Sequence, residues 1–413
     1  MKMRSLTQKG WAASGHGLRV AALMAIALLA PAMARGEPGE PGADGPREGF
    51  AWHPYASITA VYDDNVLLAP GGGPGEPGLW FGPGIEASFM EGVWRSGADV
   101  GADLRQYYGS PEISQYFWRV SGFAEMDPMR GLTLRVSDAY APQPLNYGLP
   151  QDDVSNLVQS NRLEAQARYR SELPDEFVLD LTLRGTRFDS DPYEVRNGPV
   201  PPGLPSGTDS FAASYDDVTG QVELQRAIGR DVIGYARVEA RERWFDDLPE
   251  DDLTEVSGLG GIRWRALRNL EVELAGGYGQ IDFHSGPTTP GAIGLLQLKG
   301  DLEGGWRWNA GVTRMLTSDI SGFNYAETVG HAGIEKQLGP RMRATIDAFG
   351  GQFDNQAPGV GNQKYYAVEA ALRRQLTRTL QAGLVFRHWQ TDGQGDLSNV
   401  TQNRVLLEFK YRR

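Results

Sequence analysis

The connections in this chain alternate long and short along almost its whole length. From Tyr55 onward, extended segments of roughly 10–15 residues follow one another, the length at which tilted strands cross a bilayer. Every second connection is tight: Met90-Glu91-Gly92, Leu173-Pro174-Asp175, Asn309-Ala310-Gly311 and Leu376-Thr377-Arg378. The others, such as 67–78, 189–210 and 354–362, are longer and rich in Gly, Pro, Asp and Ser. Short turns at one rim and long loops at the other describe a transmembrane β-barrel of the outer-membrane type.

Period-two alternation supports the same fold. Over 93–108, Trp94, Ala98, Val100, Ala102 and Leu104 oppose Arg95, Asp99, Asp103 and Arg105. Over 231–244, Val232, Gly234, Ala236, Val238 and Ala240 alternate with Ile233, Tyr235, Arg237, Glu239, Arg241 and Arg243. Over 292–308, Leu296, Leu298, Leu302, Trp306 and Trp308 share one face of a single expected strand. A soluble β-sandwich alternates too. These segments are long for sandwich strands, and aromatic residues cluster near their ends. Trp264, Trp306 and Trp308 stand near short turns; Tyr108, Tyr278, Tyr366 and Trp389 stand near long loops. Two aromatic bands match two membrane interfaces.

The expected fold is therefore all-β: an antiparallel transmembrane outer-membrane β-barrel of about 18 strands, with sixteen as the fallback. The expected strand centres include Ile58, Ile85, Ala102, Leu181, Ala236, Thr313, Val329 and Leu406. An even count puts both termini on the short-turn, periplasmic side. A barrel of this size encloses more space than its own side chains fill.

The N-terminus resembles an export signal. Lys2, Arg4, Lys9 and Arg19 precede an apolar run at 20–29, and Ala32-Met33-Ala34 offers a cleavage site. The expected division is a signal peptide at 1–34, a Gly/Pro-rich periplasmic spacer at 35–54 and a barrel at 55–413. The whole chain carries a formal charge of −12; removing the four basic residues of 1–34 leaves −12 − 4 = −16. Such an acidic chain lacks the basic footprint that nucleic acid requires. The absence of cysteine removes disulfides, thiol catalysis and thiolate metal sites.

The face opposite the apolar one is expected to line a pore. Its candidate lining residues are Arg95, Asp99, Asp103, Arg105, Asp180, Arg184, Arg237, Glu239, Arg241, Arg243, Arg343, Asp347 and Arg387. They can stitch the wall by cross-strand ion pairs and can also orient a polar solute. The inward aromatics Tyr235, Phe117, Phe123 and Trp389 could stack on sugar rings, but packing within the rim is the reading favoured for each of them. The segments 141–157 and 189–210 are long enough to enter the lumen. No spacing suggests a catalytic site, a metal site or a cofactor. The adjacent His284-Ser285 pair does not supply the convergent geometry of a nucleophile and its base.

Two strands carry a family resemblance. The first, Ala56 to Leu68, runs into Tyr62-Asp63-Asp64-Asn65-Val66; the last is Gln402-Asn403-Arg404-Val405-Leu406-Leu407-Glu408-Phe409-Lys410-Tyr411-Arg412-Arg413. Both resemble the opening and closing strands of outer-membrane porins of the beta-barrel porin 2 type, departing at the terminal residue, where Arg413 replaces an aromatic. The resemblance implies a pore in a Gram-negative outer membrane, serving as a conduit for secreted polysaccharide beside a periplasmic polysaccharide-export protein. The alternative is a diffusion porin for small polar solutes; an outer-membrane enzyme or purely structural barrel comes third. The expected partners are outer-membrane lipid and, during insertion, the barrel-assembly machinery.

Overall fold

The computed structural model describes residues 49–66, 68, 71–109, 114–144, 157–190, 193–194, 210–211, 214–246, 252–284, 288–318, 324–355, 362–392 and 399–413. Strands β1 (Gly49–Asp63), β2 (Glu76–Glu91), β3 (Trp94–Tyr107), β4 (Gln115–Met129), β5 (Leu132–Pro144), β6 (Leu157–Glu172) and β7 (Phe177–Ser190) form one arc. A two-residue ladder, β8 (Tyr193–Glu194) with β9 (Ser210–Phe211), stands apart from the main sheet. The remainder are β10 (Ser214–Gly229), β11 (Val232–Phe245), β12 (Leu253–Leu267), β13 (Leu270–Phe283), β14 (Thr289–Leu302), β15 (Trp306–Ser318), β16 (Asn324–Gly339), β17 (Met342–Asn355), β18 (Gln363–Gln375), β19 (Leu380–Asp392) and β20 (Thr401–Arg412). Eighteen strands pair antiparallel with their neighbours, and β1 pairs with both β2 and β20. The sheet thus closes on itself. Closure leaves no sheet edge, which satisfies the backbone of strands that lie in lipid.

Every expected strand centre falls on its own strand, and the count is eighteen. One turn is misplaced. The expected Asn309-Ala310-Gly311 turn lies inside β15; the chain reverses at Glu303-Gly304-Gly305. Leu302 faces Trp306 across the hairpin, and Gly300 faces Trp308. Partners in this hairpin are separated by even numbers of residues, so the outward apolar period runs through the turn without a break. The conformational signal is in the glycines: Gly304 and Gly305 take φ of +75° and +78°. Valine at either should destabilise the barrel by about 1–2 kcal/mol, the cost of forcing an L-residue into that region. Gly185→Val should be near neutral, because open space surrounds the missing Cβ and the backbone is extended. Equal losses at the three sites, measured by urea unfolding of the lipid-inserted protein, would contradict this account.

The barrel begins earlier than expected. β1 starts at Gly49 within the expected spacer, while the rest of the spacer and the signal segment lie outside the described residues.

The outward face fixes the barrel in the membrane. On β11, Ala236, Val238 and Ala240 are exposed, and on β7 Leu179, Leu181 and Leu183 point the same way. Toward the long-loop rim this apolar band ends at Arg187, Asp189, Asp216, Glu242 and Asp246. Arg187 binds Asp189 at 2.7 Å and Asp216 at 3.1 Å, and also pairs with Asp246. Its hydrogen bond holds the Asp246 carboxyl below the usual range. A charge on the lipid face costs about 2–4 kcal/mol at mid-membrane and far less at the interface. This cluster therefore marks the interface. Exposed Tyr108, Tyr116, Trp118, Tyr278 and Tyr366 share that rim, while Trp94, Trp264 and Trp306 stand at the other. The band, the girdles and the closed sheet make this a barrel of the Gram-negative outer membrane.

Candidate functional site: the lumen wall

Residues of alternate parity point inward, and their chemistry is mostly ionic. Carboxylates recur between arginines of nearby strands. Glu125 on β4 lies 2.9 Å from Arg95 and 3.7 Å from Arg135. Glu223 on β10 lies 2.6 Å from Arg237 and 3.2 Å from Arg263, and Arg263 reaches Glu273 at 3.1 Å. Glu335 on β16 is shared by Arg307 and Arg343, and Glu369 on β18 by Arg387 and Arg373. Directly opposed and diagonal side chains in a sheet come close enough to touch, so this arrangement follows once register is set.

The thirteen predicted lining residues stand on β3, β7, β11, β17 and β19. Arg95 also binds Asp127 at 2.6 Å, and Asp103 binds Arg105 at 2.8 Å. Asp180 accepts from Arg168 Nε at 3.0 Å. Arg243 pairs with Asp217 at 3.3 Å, and Arg241 with Glu255 at 2.5 Å. Asp99 accepts a hydrogen bond from the Tyr55 hydroxyl at 2.9 Å. Arg184, Glu239 and Asp347 make no ion pair among the described residues. The shared carboxylates Glu125 and Glu223 were not singled out in the sequence. Their inward parity was available, but their arginine partners lie one and two strands away, at a register that periodicity does not supply.

The inward aromatics do not stand free in the lumen. Tyr55 on β1 lies over Gly84 of β2, where an added Cβ would fall 2.2 Å from its ring, and its hydroxyl reaches Asp99 of β3. Tyr235 on β11 lies over Gly261 of β12 and donates to Glu273 of β13 at 2.8 Å. Tyr365 on β18 lies over Gly351 of β17 and donates to Glu327 of β16 at 2.9 Å. The three repeats share one device: a tyrosine, a glycine seat on the next strand, and a carboxylate on the strand beyond. Phe123 is seated on Gly97 in the same way, beneath Arg135 at 4.7 Å. Trp389 stacks on Tyr365 at 5.6 Å. Of the two readings of Tyr235 and Trp389, packing is the one the structure shows: Tyr235 lies against the wall and Trp389 against Tyr365.

The two strands that carry the family resemblance meet at the seam. Asp63 of β1 accepts from Arg404 Nε at 2.6 Å and from Gln402 Nε2 at 3.0 Å. The next residue, Asp64, accepts from Asn403 N at 2.6 Å and Nδ2 at 2.7 Å, while Asn65 Nδ2 donates to the Thr401 carbonyl at 2.8 Å. Asp63 and Arg404 are 0% and 2% exposed.

His284 Nδ1 lies 3.2 Å from the Asp252 carbonyl oxygen, and Ser285 lies outside the described residues. So does most of each of the two long loops considered for the lumen.

Comparison with solved structures returns the same architecture. The chain has the fold of an outer-membrane porin. It is similar to OccK9 (OpdG) of Pseudomonas aeruginosa at 12% identity and a TM-score of 0.51, covering 89% of this chain and 100% of that one. It is also similar to OccK11 (OpdR) of Pseudomonas aeruginosa at 15% identity and a TM-score of 0.50, covering 89% of this chain and 98% of that one. No protein-family model matches the chain, and no curated protein is similar to it in sequence. The porin fold that β1 and β20 implied is thus supported, while the polysaccharide export implied with it gains no support.

Proposed function

We propose that this protein is a passive outer-membrane pore for small polar solutes. The direction of its lumenal ion pairs carries the reading. Among the described residues, every ion pair joins strands no further apart than second neighbours, and none ties opposite sides of the barrel together. The charges brace the wall around an aqueous space. Eighteen strands at the usual spacing and tilt enclose a backbone circle roughly 35 Å across. The glycine-seated tyrosines keep bulk out of that circle. The small-solute reading needs only this wall.

Liposome swelling tests the proposal. Vesicles containing the protein should swell in isosmotic arabinose or glucose and stay unswollen in a large dextran. No swelling in any small sugar would overturn the reading. Dextran entry would return the polymer conduit to first place.

A further inference from the structure

Toward the long-loop rim, β7, β10 and β11 bring a second polar group together on the lumen face. It consists of two adjacent rungs, Arg184–Thr219–Arg241 and Thr186–Asp217–Arg243, set by the strand registers. Thr186, Asp217 and Thr219 are only 6%, 7% and 4% exposed. The hydroxyls of Thr186 and Thr219, Asp217 Oδ1, and the Nε atoms of Arg184 and Arg241 have no hydrogen-bond partner among the described residues. Buried polar atoms are nearly always paired, and each exception calls for an explanation. Five such atoms on neighbouring rungs of one wall point to a shared cause.

The mix of orphaned atoms limits what could complete the site. The two Nε–H groups are donors, Asp217 Oδ1 is an acceptor, and each threonine hydroxyl can be either. The formal charges are largely met inside the wall, Asp217 by Arg243 at 3.3 Å and Arg241 by Glu255 at 2.5 Å. An inorganic anion would meet the donors but face the carboxylate oxygen. A cation would do the reverse. Closely spaced hydroxyls, each able to donate and accept, meet all of them. The next rung toward the rim is aromatic: Phe188 stacks on Tyr215 at 4.9 Å, and Phe245 lies 5.7 Å from Tyr215. A polar constellation beside an apolar wall is the usual build of a small-molecule site, and it suits a ring with hydroxyls at its edge and C–H bonds on its face.

We infer that this patch is a saccharide subsite of the pore, in which Thr186, Asp217, Thr219, Arg184 and Arg241 bind vicinal hydroxyls next to the Phe188–Tyr215–Phe245 row. The inference rests on the pore reading for how solute arrives, but binding can be measured without transport.

The test is equilibrium binding to the full-length, detergent-folded protein, with raffinose, glucuronate and benzoate as probes. Raffinose represents a neutral saccharide, glucuronate an acidic one, and benzoate a carboxylate without hydroxyls. Saturable binding of raffinose or glucuronate, tighter than that of benzoate, is expected. Tighter glucuronate would show that Arg184 holds an acid group of the sugar; tighter raffinose would show that hydroxyls alone suffice. Thr219→Val and Asp217→Asn should each weaken saccharide binding about tenfold, the scale of one lost hydrogen bond. Thr313→Val, on the lumen face of β15, should leave it unchanged. Heat-modifiable gel mobility confirms that each variant is folded. Benzoate binding as tightly as either saccharide, or saccharide binding indifferent to both Thr219→Val and Asp217→Asn, would overturn the subsite. Saccharide binding without vesicle swelling would keep the subsite and remove the pore reading; swelling without binding would do the opposite.

Discussion

Asp63→Ala is expected to destabilise the folded barrel by about 3–5 kcal/mol, the penalty for removing one partner of a buried ion pair. The substitution leaves the Arg404 guanidinium, 2% exposed, without the carboxylate that binds its Nε at 2.6 Å. It also strips Gln402 Nε2 and the Asn65 backbone N–H of their bonds to Asp63, at 3.0 Å each. All of these lie where the first and last strands close the cylinder, so no other strand pair can take over the seam. The effect is read as a fall in the temperature at which unheated gels lose the folded band. Asp64→Ala is the comparison: it removes two bonds to Asn403 on the outer side of the same seam and should cost about 1 kcal/mol. Equal losses at the two positions would show that burial of the Asp63–Arg404 pair has no special weight.

The second large effect is expected at Gly84. In Gly84→Val the new Cβ falls 2.2 Å from the Tyr55 ring, so Tyr55 must leave the wall. Its hydroxyl then loses Asp99 at 2.9 Å and Arg119 at 3.2 Å. Overpacking of this kind costs about 1–3 kcal/mol. The functional consequence is larger than the energetic one, because a displaced ring has only the lumen to enter. Single-channel conductance should fall. Gly84→Val combined with Tyr55→Ala should recover it, since nothing remains to be displaced. A double variant that conducts no better than Gly84→Val alone would show that the glycine acts through the backbone instead of as a seat.

Period-two alternation located each strand, and parity gave thirteen charged candidates for the lumen wall, Arg95 and Arg387 among them. Parity is a local property. The pairing of Glu223 with Arg263, two strands away, depends on the register of β10 on β11, which includes a β-bulge, and of β11 on β12. The tyrosine–glycine–carboxylate device depends on register across three strands, so no single strand's sequence shows which ring sits on which glycine. Asn309-Ala310-Gly311 looked like a turn because the real one, at Gly304-Gly305, leaves the apolar period intact. The motifs around Asp63 and Arg404 were each visible in sequence, at opposite ends of the chain. That they lock together became apparent only when the sheet was seen to close.

The proposed pore requires an open aqueous path bounded by the ion-paired wall. Single-channel recording in planar bilayers, with neutral polyethylene glycols of graded size on one side, tests it most directly. The account predicts stable conductance steps that small polymers reduce and large ones leave unchanged, which gives a bore well below the roughly 35 Å backbone circle. A reconstituted, folded barrel that gives no steps at any voltage would contradict it.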